Sequence, residues 1–257
     1  MFPAITHAVA NKVLFGSHQL ASPLQRGVQL LLSGPREVTF EFKRGPAAGY
    51  KFSCLSSHRY FFVREDYEHE LLRPIESMVR PDSVVFDIGA HFGFWAIVLS
   101  RLCPQGKVFA FEPSPENRSR LLRNIAMNSI ENIHVVPFAA SDRIGASHLS
   151  GDGSMAKIGD GAENIETTTL DEFCKSNPAP DMMLIDVEGH AGEVLRGASG
   201  IFARRFVPMI CEIHSESELK AVRVKAGRLS IIGSLSRFPY RAVVLSPEIL
   251  TPNSPAI

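Results

Sequence analysis

From residue 83 onward the sequence alternates short, nearly unbroken apolar blocks with amphipathic segments, and this alternation restricts the fold more than any other feature. The blocks "SVVFDIG", "GKVFAFEP", "IHVVPFAAS", "DMMLIDVEG" and "PMICEIH" read as five strands. "FGFWAIVLSRL" and "SPENRSRLLRNIAMN" read as helices, the second with Ser114 at its cap and Pro115 in its first turn. Strands that are apolar throughout must be covered on both faces, and alternation with helices makes the sheet parallel. The chain is therefore α/β, with "AGEVLRGASGIF" between the fourth and fifth strands and "YRAVVLSP" as the last strand.

The rest of the chain departs from that rhythm in two places. Residues 1–66 carry an apolar start, a strand-like alternation in "VQLLLSGPREVTFEFKRGPAAGYKFSCL" and then "YFFV", which predicts a helix or two and a hairpin ahead of a main domain at 67–257. The main domain opens with "YEHELLRPIESM", a helix that Pro74 should end or kink. Between the third and fourth strands, glycines and polar residues at 145–166 interrupt the pattern, before a short strand and a helix capped by Thr169. Within that interruption, "GSMAKIGDG" lacks the lysine spacing of a phosphate loop and reads as a substrate lid or a plain surface loop.

Charge excludes some partners. Lys plus Arg and Asp plus Glu both number 27, so no whole-molecule field attracts nucleic acid or an anionic membrane. Four scattered cysteines without a CxxC pair predict free thiols in a reducing compartment. With no apolar run long enough to span a bilayer and no basic leader, the chain reads as cytoplasmic.

The chemistry starts in "VVFDIGAHFGFWAI". A dinucleotide site brings bare glycine amides to a pyrophosphate at the strand end, and a carboxylate there would repel it. Here Asp87 stands before Gly89 and Gly93, so the turn offers backbone access beside negative charge. S-adenosylmethionine fits that combination, having an ammonium, a sulfonium and no phosphate. Glu112 ends the second strand, where an acid accepts from ribose hydroxyls, and Asp142 follows the third, where it can accept from an adenine amine. Phe92, Phe94 and Trp95 read as core.

Taken in order, "VVFDIGAHFGFWAIVLS", "VFAFEPSPENRSRLLRNIAMN", "VVPFAASDRIG", "TTTLDEF" and "MMLIDVEGHAGEVLRGA" resemble the FkbM-type S-adenosylmethionine-dependent methyltransferases over roughly residues 60 to 215. The resemblance implies a Rossmann-like methyltransferase sheet with a last antiparallel strand, and methyl transfer to a hydroxyl of a sugar, glycolipid or polyketide-like small molecule. It implies that Asp87, Gly89, Ala90, His91 and Gly93 form the first cofactor loop, that Glu112 with Pro113 holds the ribose, and that Ser141 and Asp142 meet the adenine. His91 stands where the family more often has asparagine, and His190 where a small residue is commoner.

Transfer to a hydroxyl needs in-line approach and removal of a proton. "LIDVEGH" sets Asp186, Glu188 and His190 at alternate positions leaving the fourth strand, and "CEIHSE" sets Glu212 and His214 at the fifth. His190 or His214 is the expected base, with Asp186 and Glu188 beside it. Asp186 could instead hold the cofactor and Glu188 cap a helix. A divalent ion on Asp186, Glu188 and Glu212 is the alternative to a metal-free site. A nicotinamide oxidoreductase would want GxGxxG where "GAHFGF" stands, and a nucleic-acid base methyltransferase an Asn/Asp-Pro-Pro-aromatic motif where "IDVEGH" stands. A binding module that keeps the cofactor but not the chemistry is the remaining alternative.

Overall fold

The computed structural model describes residues 36–56, 58–59, 69–150, 157–158, 161–226, 230–232 and 241–245. The helices expected before residue 36 lie outside them, as does most of "GSMAKIGDG". The apolar blocks form the strands β3 (Val84–Ile88), β4 (Lys107–Phe111), β5 (Ile133–Val136), β10 (Met182–Ile185) and β11 (Met209–Ile213). In space the order is β12-β13-β11-β10-β3-β4-β5, where β12 is Ser230–Ile232 and β13 is Arg241–Leu245. All neighbours from β11 to β5 are parallel, and β13 runs antiparallel to both β11 and β12. The strand β12 had no counterpart in the sequence reading. Strand order reverses between β3 and β10, so the turns leaving these two strands face each other across the crevice where such sheets bind ligands.

Period-two alternation within each strand divides the core in two. Val85, Val108, Ala110 and Leu184 face a layer with Phe92, Ile97, Leu99 and Leu121, from helices α2 (Phe94–Leu102) and α3 (Pro115–Met127) and the turn before them. Phe86, Phe109, Phe111 and Ile185 face the opposite layer, with Val194, Leu195 and Ile201 from α5 (Ala191–Arg196) and α6 (Ser199–Arg204). Phe92 and Phe94 are core as expected, and Trp95 packs partly buried against it. All four cysteines are free thiols, three of them buried.

The hairpin of β1 (Glu37–Glu41) and β2 (Lys51–Leu55) lies against the first layer, where Phe42 stacks edge-on to Phe94 at 5.6 Å. Its outer edge is paired by side chains of α3. Asn124 Oδ1 accepts from Ser53 N at 2.7 Å while its Nδ2 donates to the Ser53 carbonyl at 3.0 Å, and Asn128 repeats the pattern on Lys51. Two asparagines one helical turn apart thus act as a strand, satisfying edge groups that would otherwise be exposed or orphaned.

Three local expectations are revised. Helix α1 (His69–Met78) does not end at Pro74 but runs through it. Leu71, Ile75 and Met78 make a buried stripe, each side chain contributing about 1.5–3 kcal/mol, which offsets the lost hydrogen bond. The block "IHVVPFAAS" is not one strand: Pro137 cannot donate to the ladder, and Ala139–Ala140 (β6) leave the main sheet to pair with β9 (Glu163–Thr168). The described residues of the 145–166 interruption are largely strand, because β7 (Gly145–Ser150) pairs antiparallel with β9 and with β8 (Lys157–Ile158). Among the described residues, no helix is long and apolar enough to cross a membrane.

Candidate active site

The turn after β3 is built from backbone. Gly89 and Ala90 both donate to the Phe111 carbonyl at 3.0 Å, tying the first strand's exit to the second's. Gly89 takes a φ of 92°, and a Cβ there would lie 1.8 Å from the Asp186 carbonyl oxygen, so only glycine lets the turns after β3 and β10 touch. Gly93 is also left-handed, at a φ of 91°, but the atom its Cβ would meet, Leu121 Cδ1 at 2.3 Å, is the end of a side chain that can move aside. His91 between them is left-handed at a φ of 49°, a conformation asparagine tolerates better than most residues. Its ring stacks on Phe92 at 3.6 Å and its Nε2 is buried without a hydrogen-bond partner. Burial holds the imidazole neutral, its pKa pushed down to about 3, with His58 and Arg120 adding repulsion.

Glu112 locks this turn to the second strand. Its Oε2 accepts from His91 N at 2.8 Å and its Oε1 from Ser114 N at 2.9 Å, with Asn117 Nδ2 at 3.4 Å. Burial pushes its carboxyl up to about 7 against those hydrogen bonds. Ser114 holds the cap position of α3 but makes no cap bond; its hydroxyl reaches Glu163 Oε1 at 3.4 Å instead. Asp87, one position before the end of β3, is 3% exposed.

Ser141 and Asp142 follow β6 and are gripped by α5. Ser141 Oγ lies 3.0 Å from His190 Nε2, and Asp142 Oδ2 accepts from Arg196 Nε at 3.2 Å. The expected Thr169 cap of helix α4 (Leu170–Phe173) is present, with Thr169 Oγ1 accepting from Glu172 N at 3.0 Å.

The ends of β10 and β11 carry a denser charge cluster. His214 Nε2 is 3.4 Å from Glu188 Oε2 and 3.9 Å from both Asp186 Oδ1 and Glu212 Oε1, while its Nδ1 is 3.6 Å from Glu218 Oε2. Burial disfavours the charged imidazole, but Glu218, Glu188 and Asp186 outweigh it and raise the His214 pKa. Asp186 keeps 45% of its side chain exposed, yet the protein around it raises its carboxyl, opposed by His214. Asp186, Glu188 and His214 each offer a donor atom within 4.8 Å of the others. One imidazole and two carboxylates suit a divalent ion, although a protonated His214 would have to lose its proton to ligate one.

The sequence groups His190 and His214 together, but their contacts fall in separate clusters: His190 meets Ser141 and Glu193, His214 the four carboxylates. Glu218 was missed. It is buried at the first turn of α7 (Glu216–Ala226), accepting from His214 N at 2.7 Å and Ala191 N at 3.0 Å, and so joins the strand end to α5. The signal was present as "SESE", a capping-box pattern in which Ser215 Oγ accepts from Glu218 N at 3.1 Å.

A family model, the methyltransferase FkbM domain, matches residues 87–228, from the acid of the first turn to the end of α7. The chain belongs to the FkbM methyltransferase family. The hexuronic acid methyltransferase AglP of Haloferax volcanii is 31% identical, over 60% of this chain and 66% of that protein. The 2-O-methyltransferase NoeI of Sinorhizobium fredii is 27% identical, over 52% of this chain and 66% of that one. The chain thus spans about two thirds of the length of these relatives, falling just short of it. Among solved structures, methyltransferase FkbM from Methylobacillus flagellatus superposes with a TM-score of 0.50 at 16% identity, covering 70% of this chain and 50% of that one. This likeness is one of fold, the Rossmann-like methyltransferase fold.

Proposed function

We propose that the protein is an S-adenosylmethionine-dependent O-methyltransferase acting on a hydroxyl of a sugar, glycolipid or similar small molecule. The observation that carries this reading is the meeting, at one switch point of the sheet, of the acid-glycine turn after β3 with the carboxylate-histidine cluster at the ends of β10 and β11. In this reading the Asp87–Gly93 turn, with Ala90 and His91, receives the donor's amino-acid end, Glu112 beside Pro113 takes the ribose, and Asp142 beside Ser141 takes the adenine amine. The hydroxyl oxygen attacks the methyl carbon in line, the carbon–sulfur bond breaks, S-adenosylhomocysteine leaves, and the hydroxyl proton passes to the cluster.

Asp186 is the cluster member most open to solvent, and so the carboxylate best placed to meet an acceptor hydroxyl. His214 behind it stabilises the charge, with Glu188, Glu212 and Glu218 holding the imidazole. The printed activities of the two curated relatives, on a hexuronic acid and at a 2-O position, support a sugar hydroxyl as acceptor. The amino-terminal extension and the β7–β9 sheet are the acceptor side; His58, following the hairpin, comes within 5.7 Å of the His91 ring.

The test is methyl transfer from labelled S-adenosylmethionine to a panel of mono- and oligosaccharides including uronic acids. Transfer is expected, together with calorimetric binding of S-adenosylhomocysteine but not NAD. Asp87→Ala or Glu112→Ala should weaken that binding by about 1–3 kcal/mol. Binding without transfer to any acceptor would favour a non-catalytic module, and unchanged affinity in both variants would reject the donor site. A second reading rests on the donor set of Asp186, Glu188 and His214, with Glu212 adjacent: a bound divalent ion would acidify the hydroxyl. Loss of activity in chelator, restored by a divalent ion, would select it; full activity in chelator would select the metal-free base.

A further inference from the structure

A serine followed three residues later by a glutamate at a helix start normally closes on itself: the serine oxygen takes the glutamate amide, and the carboxylate returns to the serine's own amide. Helix α7 keeps only the first half. Ser215 Oγ accepts from Glu218 N at 3.1 Å, but the Glu218 carboxylate goes elsewhere. Its Oε2 accepts from His214 N at 2.7 Å, and its Oε1 crosses to α5 and accepts from Ala191 N at 3.0 Å. Only 2% of the side chain is exposed, a depth at which a carboxylate is costly unless it is hydrogen-bonded.

Both amides belong to segments that carry the charge cluster. One is the amide of His214 itself. The other follows Glu188 by three positions, at the far end of a turn in which Glu188 and Gly189 take left-handed φ values of 47° and 97°. The helices behind the two segments are in contact as well, since a Cβ on Gly192 of α5 would lie 2.9 Å from Ala221 Cβ of α7. One buried carboxylate thus ties the exit of β10 to the exit of β11, beside the place where His214 Nε2 stands 3.4 Å from Glu188 Oε2 and 3.9 Å from Asp186 Oδ1.

We propose that Glu218 is a positioning residue for methyl transfer: by accepting main-chain hydrogens from Ala191 and His214 at once, it fixes the turn that carries Asp186 and Glu188 at its distance from His214. The inference rests on the methyltransferase reading above and gives Glu218 no contact with donor or acceptor. Two oxygens are required because the two amides come from different segments. In Glu218→Gln one oxygen becomes an amide nitrogen whose hydrogens face a main-chain N–H, so one of the two ties is lost while the size of the side chain is kept. A misplacement of about 1 Å between reacting groups costs on the order of 10²-fold in rate, so the loss falls on turnover and not on donor affinity.

The experiment measures turnover per S-adenosylhomocysteine-binding site, the sites being counted by calorimetry, with the acceptor that the saccharide panel supplies. The proteins are wild type, Glu218→Gln, Glu218→Ala, His214→Ala and the double variant Glu218→Gln/His214→Ala. Glu218→Gln and Glu218→Ala should each lose on the order of 10²-fold in kcat, with the affinity for S-adenosylhomocysteine within about threefold of wild type. In the His214→Ala background the glutamine substitution should cost less than about threefold more, because the group it places is already gone. Wild-type kcat in Glu218→Gln overturns the inference, and so does an equal loss with and without His214. Loss of S-adenosylhomocysteine binding in both single variants overturns it as well, since Glu218 would then be holding the fold and not the cluster. A wild type that methylates no acceptor overturns the methyltransferase reading itself and this inference with it.

Discussion

The turn after β3 and the cluster after β10 and β11 lie across one crevice and are made of opposite materials. The first is backbone: glycines at φ values near 90°, paired amides on the Phe111 carbonyl, and a buried glutamate that accepts main-chain hydrogens. The second is side-chain charge: four carboxylates around one imidazole. A backbone site tolerates almost no added atom. A charge site tolerates substitution sterically but loses its chemistry with any one group. The first suits recognition of an invariant cofactor and the second suits proton transfer.

Substitutions should divide along that line, and the largest effect belongs to the charge cluster. His214→Ala should cut turnover on the order of 10²- to 10⁴-fold while the affinity for S-adenosylhomocysteine stays within about threefold. A parallel loss of binding would merge the two regions into one unit. Next in size, Gly89→Ala should lower stability by at least about 2 kcal/mol in denaturant unfolding and abolish donor binding, since its Cβ meets a carbonyl oxygen rather than a movable side chain. A stable, binding-competent variant would show that the two turns need not touch.

The backbone region also has one pH-sensitive member. The Glu112 carboxyl is raised in the folded state from 4.5 to about 7, so its contribution to stability is fully present below pH 4.5 and is lost as pH rises through about 7. The ligand-free protein should therefore lose up to about 3 kcal/mol between these values from this group, and Glu112→Gln should flatten the slope. An unchanged slope would mean that the hydrogen bonds from His91 N, Ser114 N and Asn117 already keep the carboxylate charged at low pH. The smallest contrast is between two caps. Thr169→Ala should cost about 1 kcal/mol because its hydroxyl caps α4, whereas Ser114→Ala should cost less than about 0.5 kcal/mol because its hydroxyl does not cap α3. Equal melting shifts would erase the distinction.

Much of the architecture was legible in the chain. Unbroken apolar blocks such as Val84–Phe86 and Met182–Ile185 have no amphipathic alternative, and the positions of Asp87, Glu112 and Asp186 relative to those blocks set them at strand ends. Glycines at 89 and 93 reported a turn before any contact was known. Local signals were less dependable where long-range packing outweighed them. Pro74 did not end its helix, which three buried side chains hold, and the strand read through 133–141 was divided at Pro137 because its second half found a partner in β9.

What only the tertiary structure decided is which charged groups meet. Sequence spacing brings His190 near Glu188 and Asp186 along the chain, but the left-handed backbone at Glu188 and Gly189 redirects it into α5, where it faces Ser141. His214 and Glu218 were four residues apart in plain view, yet Glu218 became part of the site because its carboxylate is buried between a strand end and the amide of Ala191. Hydrophobic pattern is a local, repeated signal and survives reading in one dimension. The pairing of a proton donor with its acceptor depends on distances of about 3 Å between distant segments, and those are fixed only when the sheet and its helices close.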